Sequence, residues 1–382
     1  MNSTTEKPKA SDALTTAYLI ISIINFAFVV FGTVGNLFTF FILMRKNLRT
    51  VYSYTRYLSA LCIIDILCLY NWNFTFIYQD ILSSDKKRIE YYTPLSCRIF
   101  SFIAYSSLQL SSWIMCVIGI DRIILLVSMK KNKPANSIEN KKNIFDWLKK
   151  INPFQSSLLV VILLTVIIFS VNLVVLIKNA EPYVNHKANS SNQTSTRTFT
   201  CYAPEAFFKI WDIFHVLMYS VIPFCIILTQ NCLIAVLTLK HSRRMRRYEK
   251  PQTSSTVTAT GTMKSKFSEM FTSKKSSVDA TTRNKSVKQQ SQSKGTYVKN
   301  LLIFLTVSFF FTTLPYSMIY TTTLNETYFK YHYGSIVKRC LVSLQYTRHA
   351  TNFLIYILTS SIIQKEIKKF FEEVKFYLFK RN

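Results

Sequence analysis

The chain has 382 residues, 49% of them hydrophobic and 15% aromatic, with a formal net charge of +28 and only 6 glycines and 9 prolines. That apolar content, gathered into long runs, excludes an ordinary soluble fold and points to an integral membrane protein. The basic residues lie mostly between the runs rather than on one soluble face, which argues against a nucleic-acid partner.

An apolar run crosses the hydrocarbon core with about 20 residues at about 1.5 Å each. Residues 1–15 are polar and lack the features of a removable signal, so they are expected as an extracellular N-terminus and the first span as the insertion signal. That span is predicted from Thr16 to Met44 and carries Gly35-Asn36. Arg45, Lys46 and Arg49 follow at once and hold its end in the cytoplasm by the positive-inside rule. The second span, Tyr54 to Gln79, contains Asp65, an acid at mid-membrane that needs a partner. The third runs from Cys97 to Met129, with Asp121-Arg122 near its inner end and a lysine-rich loop after it.

The fourth span, Gln155 to Leu176, leads to an outer segment, Lys178 to Lys209, that holds Cys201. The fifth, Ile210 to Leu239, contains Pro223. Residues 240–297 change to Ser, Thr, Lys, Arg and Gln, a composition that buries no core and predicts a largely disordered cytoplasmic loop whose ends extend the flanking helices. The sixth span, Val298 to Thr323, contains Pro315, and the seventh, Gly334 to Ser361, contains Asn352 and Tyr356. From Ile362 to Lys380 apolar residues recur at helical spacing beside Lys and Glu, as in a helix lying on a membrane surface.

The fold class is therefore an all-α membrane protein: a seven-transmembrane helix bundle over residues 16–361, with a short amphipathic C-terminal surface helix and tail over 362–382. Seven spans put the N-terminus outside and the C-terminus inside. Glycosylation sequons at Asn2, Asn189, Asn192 and Asn325 all fall on the outer side. The sequon at Asn73 lies within a span, and that at Asn284 within the cytoplasmic loop. No catalytic set, cofactor motif or metal-ligand spacing emerges, so neither an enzyme nor a metal protein is expected.

Taken together, these marks resemble the rhodopsin-like (class A) G-protein-coupled receptors. The resemblance is carried by Gly35-Asn36, the Leu58-Ser59 to Asp65 pattern, Cys97 with Arg122 placed 25 positions after it, Pro223, Phe309 six before Pro315, and Asn352 with Tyr356. The form Asn352-Phe353-x-x-Tyr356 is similar to invertebrate neuropeptide receptors of the FMRFamide and myosuppressin kind. Departures stand at Thr313, where a toggle tryptophan is usual, and at Asn231, where a tyrosine is usual.

The resemblance implies a plasma-membrane receptor that binds an extracellular peptide, an amidated neuropeptide above all, and activates a heterotrimeric G protein. A small-chemical receptor of the same fold and a seven-span transporter stay open as alternatives. Arrestin and receptor kinases are implied partners, the latter through the Ser/Thr-rich loop. It implies a Cys97–Cys201 disulfide, against two free thiols, and a G-protein switch of Asp121, Arg122, Asn352 and Tyr356.

It also groups Asn36, Asp65, Ser111 and Arg348 in a buried polar core. There Arg348 stands in place of a small residue and predicts an ion pair with Asp65 that makes an allosteric sodium ion redundant, unless Arg348 faces elsewhere. The implied ligand pocket is lined by Ala104, Tyr105, Gln109, Asp212, His215, Tyr316, Tyr320 and Tyr346. Asp80, Asp212 and Glu326 near its mouth are either partners for a peptide arginine or solvated charges.

Overall fold

The computed structural model describes residues 7–49, 54–131, 153–180, 182–185, 196–202, 204–249, 301–319 and 332–380. Its helices in chain order are α1 Lys7–Met44, α2 Tyr54–Leu82, α3 Pro94–Lys131, α4 Pro153–Lys178, α5 Ala206–Lys240, α6 Leu301–Ile319, α7 His332–Thr359 and α8 Ser361–Phe379. The first six are long and apolar enough to cross a membrane, which makes this a membrane-embedded helical protein. Helix α7 falls outside that set; it carries Lys338, Arg339, Arg348 and His349.

One helix boundary differs from the sequence expectation. Helix α1 begins at Lys7, within the stretch expected as a polar N-terminus. The helix continuing α5 runs through Glu249, so the start of the 240–297 segment extends the flanking helix as expected of its ends, nothing in Lys240–Glu249 breaking a helix. A short antiparallel hairpin between α4 and α5, β1 Pro182–Asn185 with β2 Thr196–Phe199, was not legible as strands.

Helix α3 is the centre of the bundle: 78% of its apolar window is buried, against 17% for α4. Lipid tails are as apolar as leucine, so close packing and polar ties, not water exclusion, hold such helices together. Gly119 shows the first: a Cβ there would lie 1.9 Å from Gln230 Oε1, so the missing side chain makes the room that the Gln230 amide occupies between α5 and α3. Gln230 supplies the second by donating from Nε2 to the Cys116 carbonyl at 2.9 Å.

Helix α5 contains a π-turn at Leu217–Val221, closed by the Ile222 N–H reaching back five residues to the Leu217 carbonyl. The acceptor that would pair with position 223 is Met218, and Pro223 has no N–H to give. The freed Met218 carbonyl accepts from Trp113 Nε1 of α3 at 2.9 Å. Sequence and local geometry thus account for an α3–α5 tie that the proline alone would not suggest.

Candidate functional site

The site is a column of polar and aromatic residues around α3. At its outer end a disulfide joins Cys97 to Cys201, Cα to Cα 5.9 Å, as the resemblance implies. Asn179 organises the same region: its Nδ2 donates to Ser101 Oγ at 2.9 Å, and its Oδ1 accepts from the backbone N–H of Ala180 and of Tyr202 at 2.9 and 2.7 Å. Burial, with the nearby Glu90 charge adding to it, pushes the Tyr202 phenol up to about 12. Glu90 is itself buried, accepting from Thr75 Oγ1 at 3.0 Å and paired with Arg88 at 3.3 Å. Asn179 and Glu90 escaped the sequence reading; an isolated polar residue at a span end carries no pattern.

Below lies the layer expected as a ligand pocket. Tyr105 donates to Asp212 Oδ1 at 2.6 Å and meets the His215 ring edge-on at 4.6 Å. Asn172 donates to Gln109 Oε1 at 2.7 Å, so Gln109 Nε2, 3.1 Å from His215 Nδ1, is the donor there and a neutral His215 carries its proton on Nε2. His215 stacks on Tyr219, whose hydroxyl accepts from Gln345 Nε2 at 3.0 Å. Tyr346 and Tyr316 pack against Tyr219, and Ala104 is buried beside Tyr105 on α3. The structure therefore brings Tyr105, Gln109, Asp212, His215, Tyr316 and Tyr346 together as a packed, hydrogen-bonded layer.

The central group is Asp65. Its Oδ1 receives Ser111 Oγ at 3.2 Å and lies 2.6 Å from His349 Nδ1, while Oδ2 accepts from Asn352 Nδ2 at 2.7 Å. The predicted direct Asp65–Arg348 ion pair is not formed. Consecutive helix residues point about 100° apart, so only one of two neighbours on α7 faces α2, and the packing gives that place to His349. Arg348 instead lies over the Phe309 ring at 5.0 Å, reaches Met115 Sδ at 3.6 Å, and places a guanidinium nitrogen 3.1 Å from His349 Nε2.

A guanidinium has only donors, so Nε2 accepts and Nδ1–H donates to Asp65. The carboxylate and the guanidinium are balanced through the imidazole. Asn36, expected in the same group, donates to the carbonyls of Gly32 and His349 at 2.9 and 3.0 Å and so ties α1 to α7 beside it. His349 was missed although it adjoins Arg348 in sequence.

At the inner end Arg122 lies 3.6 Å from Asp121 and stacks over Tyr54 at 4.2 Å. Tyr356 is fully buried in the same core. Asn231, the residue in place of a tyrosine, bonds to Thr306 of α6.

One outer acid is placed otherwise than as a free partner or a solvated charge. Asp80 is paired with Arg339 of α7 and accepts from Ser22 Oγ at 2.6 Å, and Arg339 is sandwiched between Tyr18 and Phe76 at 4.1 and 4.7 Å. Asn73 is buried within α2, in agreement with setting its sequon aside. Asn2, Asn189, Asn192, Asn325, Tyr320 and Glu326 lie outside the described residues. Among the described residues no cluster of His, Cys, Asp and Glu is arranged to hold a metal ion. No family model matches this chain, and no curated protein does.

Proposed function

We propose that this chain is a plasma-membrane receptor of the rhodopsin-like G-protein-coupled kind, with α7 as a seventh span, its N-terminus outside, and α8 on the inner leaflet. In this reading it binds an amidated neuropeptide at the outer ends of α3, α5, α6 and α7 and activates a heterotrimeric G protein. The observation that carries it is the convergence on Asp65 of Ser111 and Asn352, from α3 and α7. Those three positions, far apart in sequence, are the ones the resemblance singles out. The disulfide and the stacked Arg122 at opposite ends of α3 support it from both sides of the membrane.

In the mechanism this reading supplies, ligand pressure on the Tyr105–His215–Tyr219 layer passes through Phe309 and Arg348 to the Asp65 group. The neighbouring side chains touch in that order: Tyr219 meets Phe309 at 6.5 Å between ring centroids, and Arg348 covers Phe309. Rearrangement there would release Arg122 from Tyr54 toward the G protein.

The deciding experiment is expression in cells with a calcium or cAMP readout, challenged with a panel of amidated peptides. A saturable response to one peptide, abolished by Arg122→Ala without loss of surface expression, is expected. A response to small odorants and to no peptide overturns the ligand assignment.

A further inference from the structure

Helix α8 carries two aromatic residues that its apolar stripe does not explain. The helix is capped by Ser360, whose Oγ accepts from the Ile363 N–H at 3.0 Å. It is pinned to α1 by Arg45, which reaches both Glu366 and Glu373 at 2.7 Å. Ile363, Ile367 and Phe370 pack on the bundle, and Phe371 continues that side against Phe38 at 6.2 Å between centroids.

At about 100° per residue, Phe376 and Phe379 stand roughly 160° and 140° around the helix from Val374 on the stripe. They are 58% and 72% exposed. Lysines frame them: Lys380 Nζ lies 5.0 Å from the Phe376 ring centroid and Lys375 Nζ 5.9 Å from that of Phe379. Lys365 and Lys369 fall on the same side, with Glu372 as its one acid, since Glu366 and Glu373 turn toward Arg45.

A leaflet that takes Phe371 and Val374 does not reach this opposite side, because a helix with its side chains is about 10–12 Å across. The chain's own long loops, 132–152 and 250–300, are themselves rich in lysine and arginine and are repelled by such a face. A second copy of α8 is repelled likewise. The complementary surface is acidic and apolar at once.

We propose that the Phe376–Phe379 face of α8 is a docking surface for an acidic cytosolic protein that presents an apolar groove, of the kind calcium opens in sensor proteins. The inference rests on the inner placement of α8 in the reading above. Its chemistry is two aromatic anchors entering the groove while the flanking lysines meet carboxylates at the rim.

The test uses the full chain in neutral phosphatidylcholine nanodiscs with calcium-loaded calmodulin as probe. Saturable binding that chelation of calcium abolishes, and that F376A/F379A weakens about tenfold, is expected. Both rings are exposed and touch no part of the bundle, so the double variant keeps the fold. Absence of saturable binding at about 10 μM probe overturns the proposal. So does a double variant that binds calmodulin unchanged but loses association with phosphatidylserine vesicles, which would make this face a lipid contact. A C-terminal epitope stained on intact cells would instead overturn the inner placement of α8.

Discussion

The ring of Phe353 lies against the α-carbon of Gly35, so close that a Cβ at Gly35 would stand 2.2 Å from its Cε1 and Cζ. Phe31 packs on the same ring at 5.1 Å. Phe353 follows Asn352 on α7, and a flat side chain there needs room on α1. Gly35 provides it.

Gly35→Ala should therefore lower the unfolding temperature of the purified protein, at a cost of about 1–3 kcal/mol for overpacking. Phe353→Ala should be destabilising on its own by leaving a cavity. The combination G35A/F353A should be less damaging than the sum of the two. Strict additivity in a thermal-unfolding cycle would show that the two residues do not share one space.

His349→Ala removes the group that connects Asp65 to Arg348 and leaves two buried charges without their intermediary. A loss of about 3–5 kcal/mol is expected, the scale for breaking a buried pair. Because Arg348 already balances Asp65 through the imidazole, replacing sodium chloride with N-methylglucamine chloride at equal ionic strength should leave the wild-type melting temperature unchanged. A sodium-specific rise in that temperature, abolished by Asp65→Asn, would contradict the relay.

Asp80→Ala strands Arg339 between Tyr18 and Phe76 with no carboxylate. The expected result is a protein with reduced surface expression, partly recovered in D80R/R339D, where the pair is inverted. Equal expression of D80A and wild type would mean that the pair contributes nothing.

Trp113→Phe keeps the ring but withdraws the N–H from the Met218 carbonyl. A buried carbonyl left unpaired costs about 1–3 kcal/mol. The melting temperature of W113F should fall, and introducing Pro223→Ala should offset part of the loss, since an N–H is then present to pair with the helix carbonyls. A P223A background that leaves the W113F loss unchanged would detach the tryptophan from the proline.

The apolar runs disclosed the six clearest spans because a bilayer demands about 20 apolar residues whatever the neighbouring helices do. The disulfide and the association of Asp65 with Ser111 were legible through a resemblance, not through local physics, whereas the bond from Asn352 to Asp65 was not, since Asn352 is grouped there with Arg122. What was not legible depended on rotation about the helix axis. Whether residue 348 or 349 of α7 faces α2 is a matter of about 100°, fixed by packing at Gly35 and Asn36 on another helix. The partner of Asp80 lies 259 residues away in the chain, and no local pattern names it. The hairpin at Pro182–Asn185 and Thr196–Phe199 was hidden by polar residues without strict alternation.

The π-turn in α5 has a consequence for how that helix is to be mutated. One additional residue in a turn advances everything beyond it by about 100° of phase, so a single wheel drawn through Asp212 and Gln230 misaligns them. Above Leu217 the inward residues are Asp212 and His215; below Val221 they are Gln230 and Asn231, and the two sets obey separate registers. Deleting one residue between 217 and 221 would convert the segment to a uniform α-helix and leave Gln230 facing Gly119, whereas deleting one residue elsewhere between Asp212 and Gln230 would keep the wide turn and rotate Gln230 away by about 100°. Length, more than side-chain identity, is what this short segment encodes.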